Sequence, residues 1–398
     1  MDPAALDRYA ELIVRFAANV QPGQIVEVGS EIGKEDLTRA VAASAYRAGA
    51  KHVAVTYDDL HLKRARILHA PDDALGFAPN WMRRQVQELN ERHGASIFLS
   101  GAAEPGILDG LDGGRIGRDR SPESVDWQDA INARTVNWTD VPAPTPAWAG
   151  LVHPTLDPAD ALERLWEQVL HVCRMDEDDP VAAWRQRSTE LHDVSARLTG
   201  MHLDSLRFEG PGTDLTVGLL PTSRWVGGGE RTVDDIEHMA NLPTEEVFTT
   251  PDPARTSGVV TATKPLEMAG TTVRGLEVRF EAGRAIEFRA ESGADALQAR
   301  TGRDEGGAFL GEVALVDRNG RIAPLDTVFY DSLLDENASS HIALGSAYET
   351  VGKEDLDRIN RSEIHVDFMI GGDDVAVTGV TPGGEQVEIL NGGRWAFA

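Results

Sequence analysis

The stretch "QIVEVGSEIGKEDLTRAVAASAYRAGAKHVAVTYDD", residues 24–59, sets the architecture of the first half of the chain. "QIVEVGS" (24–30) and "HVAVTYDD" (52–59) are short apolar runs of strand length, rich in the β-branched residues that strands favour. Between them "KEDLTRAVAASAYRAGA" (34–50) carries helical periodicity and runs into Gly49, a helix stop. A strand, a helix and a strand in this order predict a βαβ unit and a parallel sheet. The pattern continues with a helix through "WMRRQVQELNERHG" and a strand through "ASIFLSG". Ahead of it, Leu6, Tyr9, Ile13 and Phe16 recur at helical spacing and describe an amphipathic first helix. Two long helical stretches separated by Pro180, "PADALERLWEQVLHVCRM" and "PVAAWRQRSTELHDVSARLTG", close this half near Met201.

From about residue 202 the texture changes to short alternating strands with many glycines. "LEVRFEAGRAIEFRAE" is a hairpin with Ala-Gly at its turn. The expected organisation is therefore an α/β N-terminal domain with a mostly parallel sheet (1–201), followed by an α+β domain rich in antiparallel strands (202–398).

Composition narrows the function by exclusion. The 65 acidic against 38 basic residues give a net charge of −27, which would repel nucleic acid and anionic membrane surfaces. Neither is expected as a partner. A single cysteine, Cys173, allows no intrachain disulfide and no Cys-x-x-Cys site, so any metal must be held by His, Asp and Glu. The N-terminus carries Asp2, Asp7 and Glu11 where a signal peptide would carry positive charge. No window approaches the ~20 apolar residues of a membrane span, and the expected location is the cytoplasm.

Two glycine-containing stretches suggest anion binding only weakly. "GSEIGKE" (29–35) has three residues between its glycines where a phosphate loop needs four, and Glu35 stands where Ser or Thr must reach magnesium. "VGGGE" (226–230) could form a backbone nest, although a mobile loop lining a site is the commoner use of three glycines.

The chemistry concentrates in the second half. In "EIHVDFMIGG" (363–372), residues two apart share a face of a strand. Val366, Phe368 and Ile370 then face the core, while His365, Asp367 and Met369 face the other side. An aspartate fixing a histidine tautomer explains the pair as well as two metal ligands do. In "AFLGEVALVD" (308–317) the single acid Glu312 interrupts an apolar strand. Burying it unpaired costs several kcal/mol, so it must meet a cation, a proton or an exposed edge. In "NLPTEEVFTTP" (241–251), Pro243 rules out a long helix and adjacent acids on an extended chain point oppositely. Only one of Glu245 and Glu246 can face a given site. "DENASSHIALGSAY" (335–348) reads as a helix capped by Asn337 or Ser339, with His341 and Tyr348 two turns apart on one face.

Together these segments gather Glu246, Glu312, His341, His365 and Asp367, with Tyr348 nearby. Three carboxylates and two imidazoles suit zinc, manganese or cobalt and exceed what one catalytic zinc takes. Two ions about 3.5–4 Å apart fit such a set.

The four motifs in this order, with 66 residues from Glu246 to Glu312 and 29 more to His341, resemble the site of the thermophilic aminopeptidase family of cytosolic metallopeptidases, the group of aminopeptidases T and S. The resemblance covers nearly all of 202–375, and the α/β half is similar with less distinctive motifs. It implies two divalent metal ions (zinc, cobalt, manganese or magnesium). Glu246 would bridge them, Glu312 and His341 would complete one sphere, and His365 and Asp367 the other. Tyr348 would lie at the metals or hydrogen-bond the oxyanion. Glu336 is similar to a family glutamate cast as general base, although an acid near a helix N-terminus is also favoured by the macrodipole alone. The implied activity is removal of N-terminal residues from peptides with a free N-terminus, by a homodimer. Another two-metal hydrolase, a phosphoesterase or amidohydrolase, would use similar ligands and ignore aminoacyl p-nitroanilides. A non-catalytic binding descendant would hold metal weakly or not at all.

Overall fold

The computed structural model describes residues 1–119, 124–268 and 271–397. The chain forms two compact units, each drawn from more than one segment. One comprises 1–111, 119–187 and 229–244; the other comprises 112–118, 188–228 and 245–398. Among the described residues, no helix is long and apolar enough to cross a membrane.

The first unit is built on a four-stranded parallel sheet in the order His52–Asp58, Ile25–Glu31, Ala95–Ser100, Asn137–Pro142. The expected strand, helix and strand of 24–59 appear as Ile25–Glu31, Glu35–Arg47 and His52–Asp58. Val26 and Val28 are fully buried and Ser30 bonds Thr38 of the following helix at 2.8 Å, so alternate residues face that helix. Lys34 of the phosphate-loop look-alike is 1 % exposed, donates to the Leu99 carbonyl at 2.7 Å and pairs with Glu31 at 2.8 Å. It fastens two strands together instead of reaching a phosphate. The N-terminal amphipathic segment forms the α-helix Pro3–Leu12 and continues as a π-turn, Ile13–Ala17.

The second unit contains an eight-stranded and a five-stranded sheet. The expected hairpin lies in the larger sheet as Glu277–Glu281 and Arg284–Arg289, turning through Ala282 and Gly283, both at positive φ. The smaller sheet runs in the order His365–Met369, His341–Gly345, Leu310–Val316, Glu246–Thr249, Val226–Gly227, and its pairings are antiparallel. Val247, Val313, Leu315, Ile342, Leu344, Val366 and Phe368 enter one apolar core with Phe208, Val217, Val278 and Val377 of the larger sheet. The apolar inner faces explain why the sequence alternates so clearly here. The glycines of 226–230 serve this sheet: Gly227 pairs with Val247, whose side chain would lie 2.7 Å from an added Cβ.

One expectation is corrected. The segment 335–348 is not a helix: a short helix, Ser332–Glu336, ends before it, and His341–Gly345 is a central strand. The helix cap is Asp331, whose carboxylate accepts from the Leu334 amide at 3.1 Å. His341 and Tyr348 therefore share no helical face. Pairing on both sides, with Leu310–Val316 and His365–Met369, outweighs the helical preference of the alanines.

Gly345 closes this strand at φ 111°, where an added Cβ would stand 2.1 Å from the Ile364 carbonyl oxygen. Gly345→Ala is expected to lose about 3 kcal/mol or more, because backbone strain adds to the forced separation of two strands. Thermal unfolding measures it, and a melting temperature within a degree of wild type would contradict the argument.

Candidate metal centre

The register of the five-stranded sheet brings the predicted ligands onto its outer face. Residues directly opposite one another on antiparallel strands point to the same side. Glu246 stands opposite Val316, Ala314 opposite His341, and Gly345 opposite His365, while Ala343 has Glu312 on one side and Asp367 on the other. The positions between the ligands are Ala314, Ala343 and Gly345, so nothing bulky fills the space above them.

The side chains converge. His341 Nε2 lies 3.0 Å from Glu246 Oε2 and 3.8 Å from Glu312 Oε1; His365 Nε2 lies 3.2 Å from Glu312 Oε2 and 3.3 Å from Asp367 Oδ1. The two oxygens of Glu312 thus face different imidazoles. Three sets of ligating atoms come within reach of a common ion: Glu246, Glu312 and His341; Glu312, His365 and Asp367; Glu336, His341 and Asp367. All six of these side chains meet in one place, and Glu245 points away, its carboxylate accepting from the Arg321 amide at 3.3 Å.

Both imidazoles are oriented from behind. His341 Nδ1 lies 3.1 Å from the carbonyl oxygens of Glu336 and Ser339, and His365 Nδ1 lies 2.8 Å from that of Ser346. Each Nδ1–H donates to a carbonyl, which leaves both Nε2 atoms aimed into the cluster. This is the outer-shell arrangement that fixes the tautomer of a metal-ligating histidine.

Electrostatics express the same crowding. Burial opposes the charged form of His341, yet the hydrogen bonds of Glu246 and Glu312 and the charges of Glu246 and Glu336 outweigh it and hold the pKa well above the usual imidazole value. His365 is likewise raised against burial, by Asp367 and Glu312. Burial raises Glu312 and Asp367, but the imidazoles overcome it and leave both lowered. For Glu246 burial wins over His341. Glu336 is raised well above the carboxylate range by burial and by the charges of Asp367 and Glu246.

Four buried or half-buried carboxylates around two imidazoles call for cations. Divalent ions fit the donor set: hard oxygens with imidazole nitrogen suit them, and the four carboxylates would balance two such ions with both imidazoles neutral.

Tyr348 lies on the loop beyond Gly345, its ring 5.4 Å from those of both His365 and Phe248. The Tyr348 carbonyl accepts from the Thr250 hydroxyl, and the Thr350 hydroxyl accepts from the Thr250 amide at 3.0 Å. The loop is thereby tied to the end of the Glu246 strand.

Sequence reasoning missed the supports of the Glu336 helix. Asn337 Oδ1 accepts from the Glu245 amide at 2.6 Å, and its Nδ2 donates to the Leu333 carbonyl at 2.9 Å. The fully enclosed Asp335 accepts from the Phe329 amide at 3.0 Å and pairs with Lys264 at 3.3 Å. The only sequence signal was a polar run, "DENASS", leading into an apolar strand.

A sheet face carrying clustered carboxylates and back-oriented imidazoles defines a metallohydrolase. The chain matches the family described as thermophilic metalloprotease (M29) over residues 3–395, and it belongs to that family. It is 40% identical over 400 residues to aminopeptidase T of Thermus thermophilus, covering 98% of each chain, and 36% identical over 404 residues to aminopeptidase AmpS of Bacillus subtilis, again over 98% of each. The solved structure of wild-type AmpT from Thermus thermophilus superposes with a TM-score of 0.87 at 39% identity, over 99% of both chains.

Proposed function

We propose that this protein is a cocatalytic metallo-aminopeptidase acting on short peptides with a free N-terminus, with 202–398 as its catalytic domain. The observation that carries the reading is the position of Glu312, shared by two ligand sets with one oxygen toward each imidazole. In this reading Glu246, Glu312 and His341 would hold one divalent ion and Glu312, His365 and Asp367 the other, which would give Glu312 the shared place that the family resemblance gives to Glu246. Held by these residues, divalent ions would supply Lewis-acid polarisation of the scissile carbonyl and a water more acidic than bulk. Glu336 accepts the proton of the attacking water and returns it to the leaving amine. Tyr348, held beside His365, donates to the oxyanion. A free substrate amine would be held at this end of the site by one of the carboxylates or by an ion, which favours exopeptidase cleavage. A homodimer and a cytoplasmic location belong to the same reading through the family resemblance.

The test is hydrolysis of aminoacyl p-nitroanilides and short peptides. Activity should vanish with chelator and return with zinc, cobalt or manganese. A folded, metal-loaded protein that leaves every free-amine peptide intact would refute it. Metal affinity carries a further expectation. Without ions the two imidazoles hold protons well above their usual pKa, and ions must displace those protons. Apparent affinity for each ion should therefore fall as pH is lowered through that raised range, by up to about one decade per pH unit. Competition with a chromogenic chelator measures the slope, and a flat profile would contradict the assigned ligands.

A further inference from the structure

The parallel sheet of the first unit carries a second cavity, unrelated to the metal centre. From Ile25–Glu31 the chain passes to its neighbour on one side, His52–Asp58; from Ala95–Ser100 it passes to the neighbour on the other, Asn137–Pro142. Adjacent strands whose connections leave in opposite directions mark the switch point at which open α/β sheets bind ligands, beyond the carboxyl ends of the strands. A cavity of about 420 Å³ lies there.

Its wall follows from register. Glu27, Gly29 and Glu31 alternate onto one face; Gly29 stands beside Phe98, Phe98 beside Asp140, and Glu31 beside Asp58. At Gly29 a Cβ would meet the Phe98 ring at 3.0 Å, so the absent side chain leaves the ring room to lie against the strand. Trp127 meets Phe98 edge-on with centroids 5.3 Å apart, and Trp81, 68 % exposed, stands at the mouth. The described lining residues include four carboxylates, Glu27, Glu31, Asp58 and Asp140, and no lysine or arginine. Of these, Glu31 is already paired with Lys34 at 2.8 Å. Partial burial and the adjacent Glu31 hold the Asp58 carboxyl above its usual range, against the opposing charges of Lys63 and Arg66.

We infer that this cavity is a binding site for an organic cation carrying a guanidinium group. Carboxylates set among aromatic rings match a planar cation that stacks on a ring face while its edge donates to carboxylate oxygens. A metal ion is disfavoured by spacing: among the described residues, the sets of three or more ligating side chains close enough to share an ion all lie at the other site. A compact ammonium would meet the carboxylates but leave the rings unused.

Calorimetric titration with agmatine, on the full-length protein, tests the inference. One-site binding with Kd of about 1 mM or tighter is expected. Glu27→Gln and Asp58→Asn should each weaken it about tenfold, and butylamine should bind correspondingly less well than agmatine. Trp81→Ala should also weaken it, and this exposed position cannot unfold the sheet. Glu312→Gln should leave it unchanged, which separates this site from the metal centre. Absence of saturable binding, equal binding by the Trp81 and Asp58 variants, or loss confined to Glu312→Gln would each overturn the inference, as would magnesium binding here in place of agmatine.

Discussion

Glu312→Gln should abolish peptide hydrolysis while leaving a folded protein. The substitution keeps size and shape, so the apolar inner face of Leu310–Val316 still packs in the same core. What changes is the charge between two imidazoles. Glu312 is 6 % exposed and is kept ionised against its burial by hydrogen bonds from His341 and His365. An amide offers one neutral oxygen and a donor nitrogen in place of two anionic oxygens, so it cannot serve two ions at once. Loss of Lewis-acid stabilisation is worth several kcal/mol. A fall in kcat/KM of about 10³-fold or more is expected, together with a metal content reduced below that of wild type. Both are read on the same preparation, by p-nitroanilide kinetics and elemental analysis. Near wild-type activity with full metal content would remove Glu312 from the bridging place.

That Glu312 can be singled out reflects how strongly a buried charge marks a sequence. One acid inside an apolar strand is an electrostatic problem visible without coordinates. The same holds for the parallel sheet, because strand and helix periodicities in 24–59 are local, and for the Glu277–Arg289 hairpin, whose turn residues adopt positive φ. His341 was legible as a ligand candidate but not as a strand residue. "ASSHIALGSA" has small side chains that obey neither period, and the deciding forces are two neighbouring strands that enter from 310–316 and 365–369. Asn337 was misread for the same reason: it suggests a cap until the chain brings the Glu245 amide within 2.6 Å of it. The acidic pocket of the first unit was equally hidden, since its carboxylates belong to three strands that each look like ordinary core or edge segments alone. Contacts made across the fold leave no local signature.

Glu336→Gln separates two roles that geometry alone allows. Glu336 belongs to one potential ligand set, with His341 and Asp367, yet its electrostatics differ from those of Glu312 and Asp367. Glu312 and Asp367 are lowered by the imidazoles, whereas Glu336 is raised well above the carboxylate range by burial and by the charges of Asp367 and Glu246. A carboxyl that holds its proton more readily suits a group that must both take a proton from water and give it to an amine. Its helix is also braced at Asp335 and Asn337, on either side of it, so the side chain is carried on a fixed support. The general-base role predicts that Glu336→Gln lowers kcat by about 10²–10⁴-fold with KM little changed, and that the variant retains the metal content of wild type. The acidic limb of the kcat profile, which ionisation of this carboxyl would set, should disappear with it. A ligand role predicts instead that metal content falls in step with activity and that excess zinc or cobalt restores part of the rate. Comparing metal stoichiometry and single-turnover rates on one preparation decides between them, because only a proton-transfer defect leaves the site loaded and slow.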